Sequence, residues 1–351
     1  MNVVKLANNL SVHGVDVVVI TESDTIIAGK CKDAGMKVKI IPPHFKYFDL
    51  LSSRDIARYL SKNDVNNLFA FHSRDTDLAS WVKVFYPSIQ LIYQQHMHVG
   101  RTKKDYLHNL RYSRYDLWIS PLHKLAQEVK DLTNFDFCKV KIIPIGVNVS
   151  KVINQNLTPN EAKSMTGLPM GKFIYGIIGR IDRQKGQLDV LMSFAECLKT
   201  DNNIHLLIAG SKTIGESEKY FTEIQTFISQ NNLENSVTLL TGEFDVSTVY
   251  KSLDCFILAS SSETYGMVTI EAMLNSLIII ATDKGGTTEI LQDGKLGFLY
   301  KRGSIQQLCN LMIDVKNNYE RYKTISESAK NYALDNFTDS IETNNVFNLL
   351  K

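Results

Sequence analysis

Short apolar runs rich in Val and Ile alternate with stretches of helical periodicity along almost the whole chain. VDVVVIT (15–21), KVKII (37–41), NLFAFH (67–72), QLIYQQH (90–96), DLWIS (116–120) and KVKIIPI (139–145) are bounded by turn residues and predict strands. Helical patterns lie between them, as in SRDIARYLSKN (53–63) and LHKLAQEVKDL (122–132). Strands that alternate with helices predict parallel sheets with crossover helices. After Val147 the pattern breaks into the polar, turn-rich NVSKVINQNLTPNEAKSMTGLPMGK. A second series follows: FIYGIIG (173–179), IHLLIAG (204–210), SVTLLTG (236–242), DCFILAS (254–260) and LIIIATD (277–283). The expected organisation is two α/β domains, residues 1–150 and 151–335, and a terminal helix, 336–351, started by Thr338 or Asp339 and packing back toward the first domain. Two such domains hold ligands in a cleft at the carboxyl ends of their strands.

Composition narrows the classes. With 351 residues, 44% hydrophobic and 22% charged, the chain is of ordinary globular make-up and long enough for two domains. A net charge of +2 argues against a dedicated nucleic-acid binder. No apolar run approaches the ~18 residues of a membrane span, and the amphipathic start MNVVKLANNLSVHG is unlike a signal peptide. Five cysteines (Cys31, Cys138, Cys197, Cys255, Cys309) stand apart, never in CxxC spacing. That is the usage of a reducing compartment, and the expected location is the cytoplasm.

Four stretches at predicted strand ends could carry chemistry. In GIIGRIDRQKGQLDVL (176–191), Arg180 follows Gly179 at the end of a strand, and Lys185 stands five residues on near a helix start. Two cations beside free backbone N–H groups suit a diphosphate, although solvated loop charges would look the same. Gly176 and Gly179 form GxxG, not a dinucleotide fingerprint. In SSETYGMVTIEAM (261–273), Glu263 falls in a loop and Glu271 in the helix after it. Gly266 lets a ligand approach the backbone, and the N–H groups near Tyr265, Gly266, Met267 and Val268 would be the open donors of the helix start. A carboxylate beside a helix N-terminus gains ~0.3–1 kcal/mol without any ligand, and Glu271 could be an ordinary helix glutamate. In LIYQQHMHVGRTKKD (91–105), His96 ends a strand of the first domain and His98 follows; one of the two could be purely structural. The fourth stretch, TDKGGTTEIL (282–291), offers a Gly285-Gly286 turn that either serves strand-to-helix geometry or is shaped around a sugar. Two further matches carry less. Asp75-Thr76-Asp77 spells a DxD without a third ligand, so no metal site is expected. Gly167–Phe173 resembles a phosphate-binding P-loop but is one residue short and lacks the Ser/Thr.

Together these stretches resemble family 4 of the retaining glycosyltransferases. The spacing of Glu263 and Glu271 matches the family's E-x7-E, and Gly179, Arg180, Lys185 and Gly186 match its G-R-x4-K-G. KGGTTEIL, DGKLGFL (293–299) and IIPIGVN (142–148) add support; Asn148 and Ala259 depart from the family's usual acid and proline. The resemblance implies the GT-B fold, two Rossmann-like α/β domains with parallel sheets facing a central cleft. It implies a nucleotide-sugar donor used as co-substrate, with no resident cofactor and no metal. Arg180 and Lys185 would hold the diphosphate, Glu271 the ribose, and Glu263 the transferred sugar. His96 takes the family's strand-end position at the donor sugar or reacting centre. LANNLSVHG (6–14) resembles the end of the family's first helix, which implies that a strand and a glycine-rich loop would precede it. Two expectations follow: a start codon further upstream, or a fragment with impaired folding or activity.

The expected function is transfer of a sugar to a glycan or lipid-linked acceptor in cell-surface polysaccharide synthesis. Between residues 91 and 150 nine Lys/Arg (101, 103, 104, 111, 114, 124, 130, 139, 141) face five Asp/Glu (105, 116, 128, 131, 136), a basic excess suited to peripheral contact with an anionic membrane at its inner face. The alternatives are a nucleotide-sugar epimerase of the same fold, or an inactive remnant.

Overall fold

The computed structural model describes residues 2–45, 48–211 and 216–351. The chain divides into two compact units, residues 1–146 with 339–351, and residues 147–338. The divide falls four residues before the expected end of the first domain at 150, because Val147 already belongs to the second unit, where its N–H donates to the Phe337 carbonyl at 2.8 Å.

The first unit runs α1 (Asn2–Val12), β1 (Val18–Glu22), α2 (Ile26–Asp33), β2 (Lys37–Ile41), α3 (Leu50–Lys62), β3 (Asn67–Ala70), α4 (Thr76–Phe85), β4 (Gln90–Gln94), α5 (Tyr106–Tyr112), β5 (Leu117–Ser120), α6 (His123–Leu132) and β6 (Val140–Ile142). Each strand lies within one of the six predicted runs or, for β1, one residue past its end. All pairings are parallel, but the strands form two separate sheets, β1-β2 and β3-β4-β5-β6. Strand-to-helix steps carry capping side chains: Thr25 accepts from the Ala28 N–H ahead of α2, and Asp49 from the Ser52 N–H ahead of α3. Leu6 and Leu10 of α1 pack with Ile92 and Ile119 of the larger sheet, with Ile143 just past β6 and with Val346 of the C-terminal helix, Asp339–Leu349. On the other face Trp118 packs among Tyr93, Tyr112 and Phe135, and its indole N–H donates to Gln95 at 3.1 Å.

The second unit contains α7 (Val149–Val152), α8 (Pro159–Met165), β7 (Phe173–Ile178), α9 (Gln187–Leu198), β8 (Ile204–Ala209), α10 (Glu216–Gln230), β9 (Val237–Leu240), α11 (Val246–Lys251), β10 (Cys255–Leu258), α12 (Met267–Leu274), β11 (Ile278–Thr282), α13 (Thr287–Ile290), β12 (Phe298–Tyr300), α14 (Ile305–Asn317) and α15 (Tyr319–Asn336). Its strands make one parallel sheet in the order β12-β11-β10-β7-β8-β9. The strands β8, β10 and β11 are buried along their whole length, as expected of a parallel sheet covered by helices. Phe194 of α9 and Met312 of α14 fill the core against Leu206 and Ile257.

A buried carboxylate of the C-terminal helix ties it to the rest of the first unit. Glu342 is 1% exposed. It accepts hydrogen bonds from the Asn2 amide (2.8 Å), the Gln94 amide (3.2 Å) and the Gly146 N–H (2.9 Å). Lys5 pairs with it at 2.9 Å and with Asp339 at 2.7 Å. Removing the carboxylate strands three donors, Asn2, Gln94 and the Gly146 N–H, in a largely dry site and leaves Lys5 with Asp339 alone among carboxylates, which costs more than the net value of any one bond. Glu342→Ala is therefore expected to destabilise the first unit by about 3 kcal/mol. Urea unfolding followed by hydrogen exchange in that unit measures this, and a loss below about 1 kcal/mol, the scale of an exposed pair, would contradict it.

Candidate functional site

The second unit's loops converge where its strands end. The sheet order places β11, β10 and β7 side by side, so the loops that follow them are neighbours. The loop after β7 ends at Lys185 and α9; the loop after β10 carries Glu263 and ends at α12; the loop after β11 carries Gly285 and ends at α13. These loops are joined through their backbones. The Ser261 N–H donates to the Gln184 carbonyl at 2.7 Å, and the Gly286 N–H donates to the Glu263 carbonyl at 2.8 Å. Gly285 has a φ of +68°, and a Cβ there would stand 2.3 Å from the Glu263 carbonyl oxygen. Only glycine fits that approach.

Within this frame Glu263 Oε2 accepts from Lys185 Nζ at 2.7 Å, with side chains 18% and 24% exposed. The pair joins two residues 78 positions apart, both singled out from the sequence but assigned there to different parts of a ligand. Gly266 caps α12 with a φ of +99°. The first two helical N–H groups, Met267 and Val268, make no backbone hydrogen bond among the described residues, whereas the Thr269 and Ile270 N–H groups donate to the Gly266 carbonyl. The helix start thus presents open donors beside the Lys185–Glu263 loop cluster. Tyr265 is buried. Arg180 is exposed just after Gly179 at the end of β7, and its carbonyl accepts from the Gln187 amide at 2.8 Å, which ties the loop to α9.

Glu271 lies in α12 and is a different kind of carboxylate. Its Oε2 accepts from the Tyr250 hydroxyl at 2.8 Å. Burial pushes its carboxyl above the ordinary range, and the Tyr250 hydroxyl pulls the other way. Tyr250 was missed in the sequence: it stands in α11, VSTVYK, with no motif around it. The only signal was its place as the one aromatic residue of a short helix.

His96 belongs to the first unit, just past the end of β4. Burial, with a smaller contribution from Lys5, holds its pKa down to about 4. Its Nε2 is buried without a hydrogen bond, and its ring lies 5.8 Å from that of Phe71. It lines a cavity of about 490 Å³. His98 is the structural member of the two: its Nδ1 meets Glu128 at 2.7 Å, and the same carboxylate accepts from the Val99 N–H. In the DxD, Asp77 pairs with the Arg111 guanidinium at 2.7 Å in a buried site, and Asp75 faces His44 at 3.4 Å. Those contacts give both aspartates work in holding the unit together. The P-loop-like stretch is the turn between α8 and β7, with Gly167 and Gly171 at positive φ.

Because the folded-state pKa of His96 lies below its free value of 6.5, the unfolded chain takes the proton first as pH falls. The group therefore subtracts stability between roughly pH 7 and pH 4 and contributes nothing above that window. His205, buried in β8 and 2.9 Å from the Thr238 hydroxyl, behaves alike, with a pKa of about 4. The imidazole NMR shifts of His96 are expected to stay flat from pH 8 to pH 5.5. A midpoint near 6.5 would show that the ring is solvated.

Comparison with known proteins bears on the second unit most directly. Residues 160–332 match the family model described as glycosyl transferases group 1. An uncharacterized glycosyltransferase of Methanocaldococcus jannaschii is 30% identical over 182 residues, 52% of this chain and 46% of that protein. The alpha-monoglucosyldiacylglycerol synthase of Acholeplasma laidlawii is 25% identical over 209 residues, 58% of this chain and 51% of the relative. The chain spans about half the length of the curated relatives it matches. Among solved structures, a glycosyltransferase from Rickettsia africae superposes with a TM-score of 0.89 at 18% identity, covering 99% of this chain and 93% of that one. Anabaena HepE in complex with UDP and glucose gives 0.80 at 17% identity, covering 99% and 94%. These likenesses show the fold, GT-B, with parallel sheets in two α/β units.

Proposed function

We propose, from the match of residues 160–332 to the model described as glycosyl transferases group 1, that the protein is a retaining glycosyltransferase. It moves a sugar from a nucleotide-diphosphate-sugar to a glycan or lipid-linked acceptor in cell-surface polysaccharide synthesis. The observation that carries this reading is the Lys185–Glu263 pair, held by three interlocked loops beside the open N–H groups of α12.

In the free protein the two charges satisfy each other. A diphosphate would draw Lys185 away, together with Arg180, and leave Glu263 free to accept hydrogen bonds from sugar hydroxyls. A partly exposed ion pair is worth only ~0–1 kcal/mol, so this exchange of partners costs little. A charged hydrogen bond to a hydroxyl returns ~1.5–3 kcal/mol. Tyr265, Gly266, Met267 and Val268 supply the backbone that approaches the donor, Gly179 opens the turn at the strand end, and Glu271, oriented by Tyr250, accepts from the ribose. As the bond between the anomeric carbon and the diphosphate oxygen lengthens, negative charge grows on the leaving phosphate. Arg180, Lys185 and the α12 N–H groups meet that charge, which stabilises the transition state more than the ground state. His96 of the first unit, neutral at physiological pH, can donate or accept one hydrogen bond to a sugar hydroxyl without adding charge. The reading uses no metal and no resident cofactor, because the cations and the helix start carry the electrostatic work.

The name of the Acholeplasma relative, alpha-monoglucosyldiacylglycerol synthase, supports a lipid-linked acceptor, and the UDP complexes of HepE support a nucleotide-sugar donor. Among the described residues no helix is long and apolar enough to cross a membrane. A cytoplasmic protein touching the anionic inner face of the membrane through its basic first unit fits these facts.

The test is turnover of a panel of nucleotide-sugars, with and without glycan and lipid acceptors, by the protein and two variants. Glu263→Ala and Arg180→Ala are each expected to lower kcat/KM at least tenfold, about 1.4 kcal/mol or more of transition-state stabilisation. Near-normal activity in both would remove the site. Epimerisation of a nucleotide-sugar in the absence of acceptor would replace transfer with the epimerase reading.

A further inference from the structure

The first unit carries a ledge of exposed apolar side chains where α3, α4 and α5 begin. Phe48, just ahead of α3, is 62% exposed, Leu51 in its first turn 79%, and Tyr106 at the start of α5 76%. They stand on one surface. The Phe48 ring lies 6.0 Å from that of Trp81 in α4, and Leu107, next to Tyr106, shares a shallow dent with both rings. Cations border the ledge. The Arg114 guanidinium stands 4.2 Å over the Trp81 ring. Arg54 follows Leu51 by three residues and so shares its face of α3, and Lys104 stands two residues ahead of Tyr106. The acids nearby are engaged locally. Asp49 accepts from the Ser52 N–H, Asp55 pairs with Arg58, Asp77 with Arg111, and Asp105 accepts from the His108 N–H.

The shape of the ledge selects its partner. A protein partner is anchored by side chains that fill pockets. The dent here holds about 20 Å³, less than the ~30 Å³ share of one water in the liquid, so it takes no anchor. Apolar tips on separate helix starts need no complementary shape if the medium they enter is fluid. A bilayer interface is such a medium: it accepts rings and aliphatic chains, while Arg and Lys reach back to the headgroups. The bordering cations select anionic headgroups. We infer that the ledge is a membrane-docking surface. Phe48, Leu51 and Tyr106 enter the interfacial layer of an anionic bilayer, and Arg54, Lys104 and Arg114 meet its phosphates. This docking rests on the peripheral contact proposed above and gives it a place. It adds insertion by named side chains to attraction by the basic stretch 91–150, and Phe48, Leu51 and Arg54 lie outside that stretch.

The two tryptophans of the chain supply the probe. Trp118 is buried in the core, so vesicles change the emission through Trp81. The full chain is mixed with phosphatidylcholine vesicles, with or without phosphatidylglycerol, and followed by co-sedimentation and fluorescence. Binding at least tenfold stronger to the anionic vesicles is expected, with a blue shift of the emission. The double variant Phe48→Ser, Leu51→Ser alters two exposed positions, and an unchanged thermal melt shows that it is folded. It is expected to bind the anionic vesicles at least tenfold more weakly and to lose the blue shift. Absence of binding by the unaltered chain, or equal binding to both kinds of vesicle, would overturn the anionic contact as a whole. Full binding by the double variant would overturn the ledge and leave a contact by charge elsewhere. A dimer that the double variant dissolves, without vesicle binding, would make the ledge an interface between copies instead. No turnover enters these measurements, so they stand or fall apart from the transferase reading.

Discussion

The backbone of Glu263 is packed on one side by a loop that can come so close only because residue 285 has no side chain. That contact, with the hydrogen bonds from Gly286 to Glu263 and from Ser261 to Gln184, turns three separate strand-to-helix connections into one rigid rim. The position of Lys185 opposite Glu263 and the direction of the α12 start follow from it. A parallel sheet alone would bring the loops to the same edge. The glycine contact sets their spacing, and a Cβ at residue 285 would have to push Glu263 away from its partner.

The two glutamates of one short stretch differ through their surroundings rather than through their spacing. Glu263 sits at the rim with a cation that a ligand can replace. Glu271 sits one helix turn deeper, where burial favours its neutral form and a tyrosine hydroxyl from the neighbouring helix opposes that tendency. The first carboxylate can change partners at small cost. The second is held in one orientation, because a buried acceptor deprived of its donor is expensive.

Strands were the most legible feature of the sequence, because a parallel sheet covered on both faces writes itself as continuous Val/Ile runs. β12, only three residues long, was visible solely as the DGKLGFL motif, since three residues carry no period. The chemistry-bearing residues of the second unit were legible because each follows a strand, and strand ends share an edge. Their pairings were not. Lys185 with Glu263 and Tyr250 with Glu271 are through-space contacts set by sheet order and helix packing, which strand patterns do not encode. Glu342 gave no signal at all. In the sequence it is one acid in a polar terminal helix, and only the placement of Asn2, Gln94 and Gly146 around it makes it a buried hub. Likewise the pattern predicts strands without naming neighbours, so the division of the first sheet into two pieces had to come from coordinates.

That division separates the units mechanically. In the second, six strands form an unbroken ladder, and the rim that holds Lys185 and Glu263 rests on strands near its middle. Opening there would break pairing on both sides of each strand, so its local stability should approach that of the whole unit. In the first, β1-β2 is a two-stranded sheet, and an isolated pair of strands is marginal in water. It is retained by packing with α1 and α2 around Val19 and Cys31 and by the contacts of His44 at the strand ends. Buried apolar contacts hold it, while one edge of each flanking sheet stays unpaired. A ligand that needs groups fixed to within a fraction of an ångström is best served by the unbroken sheet.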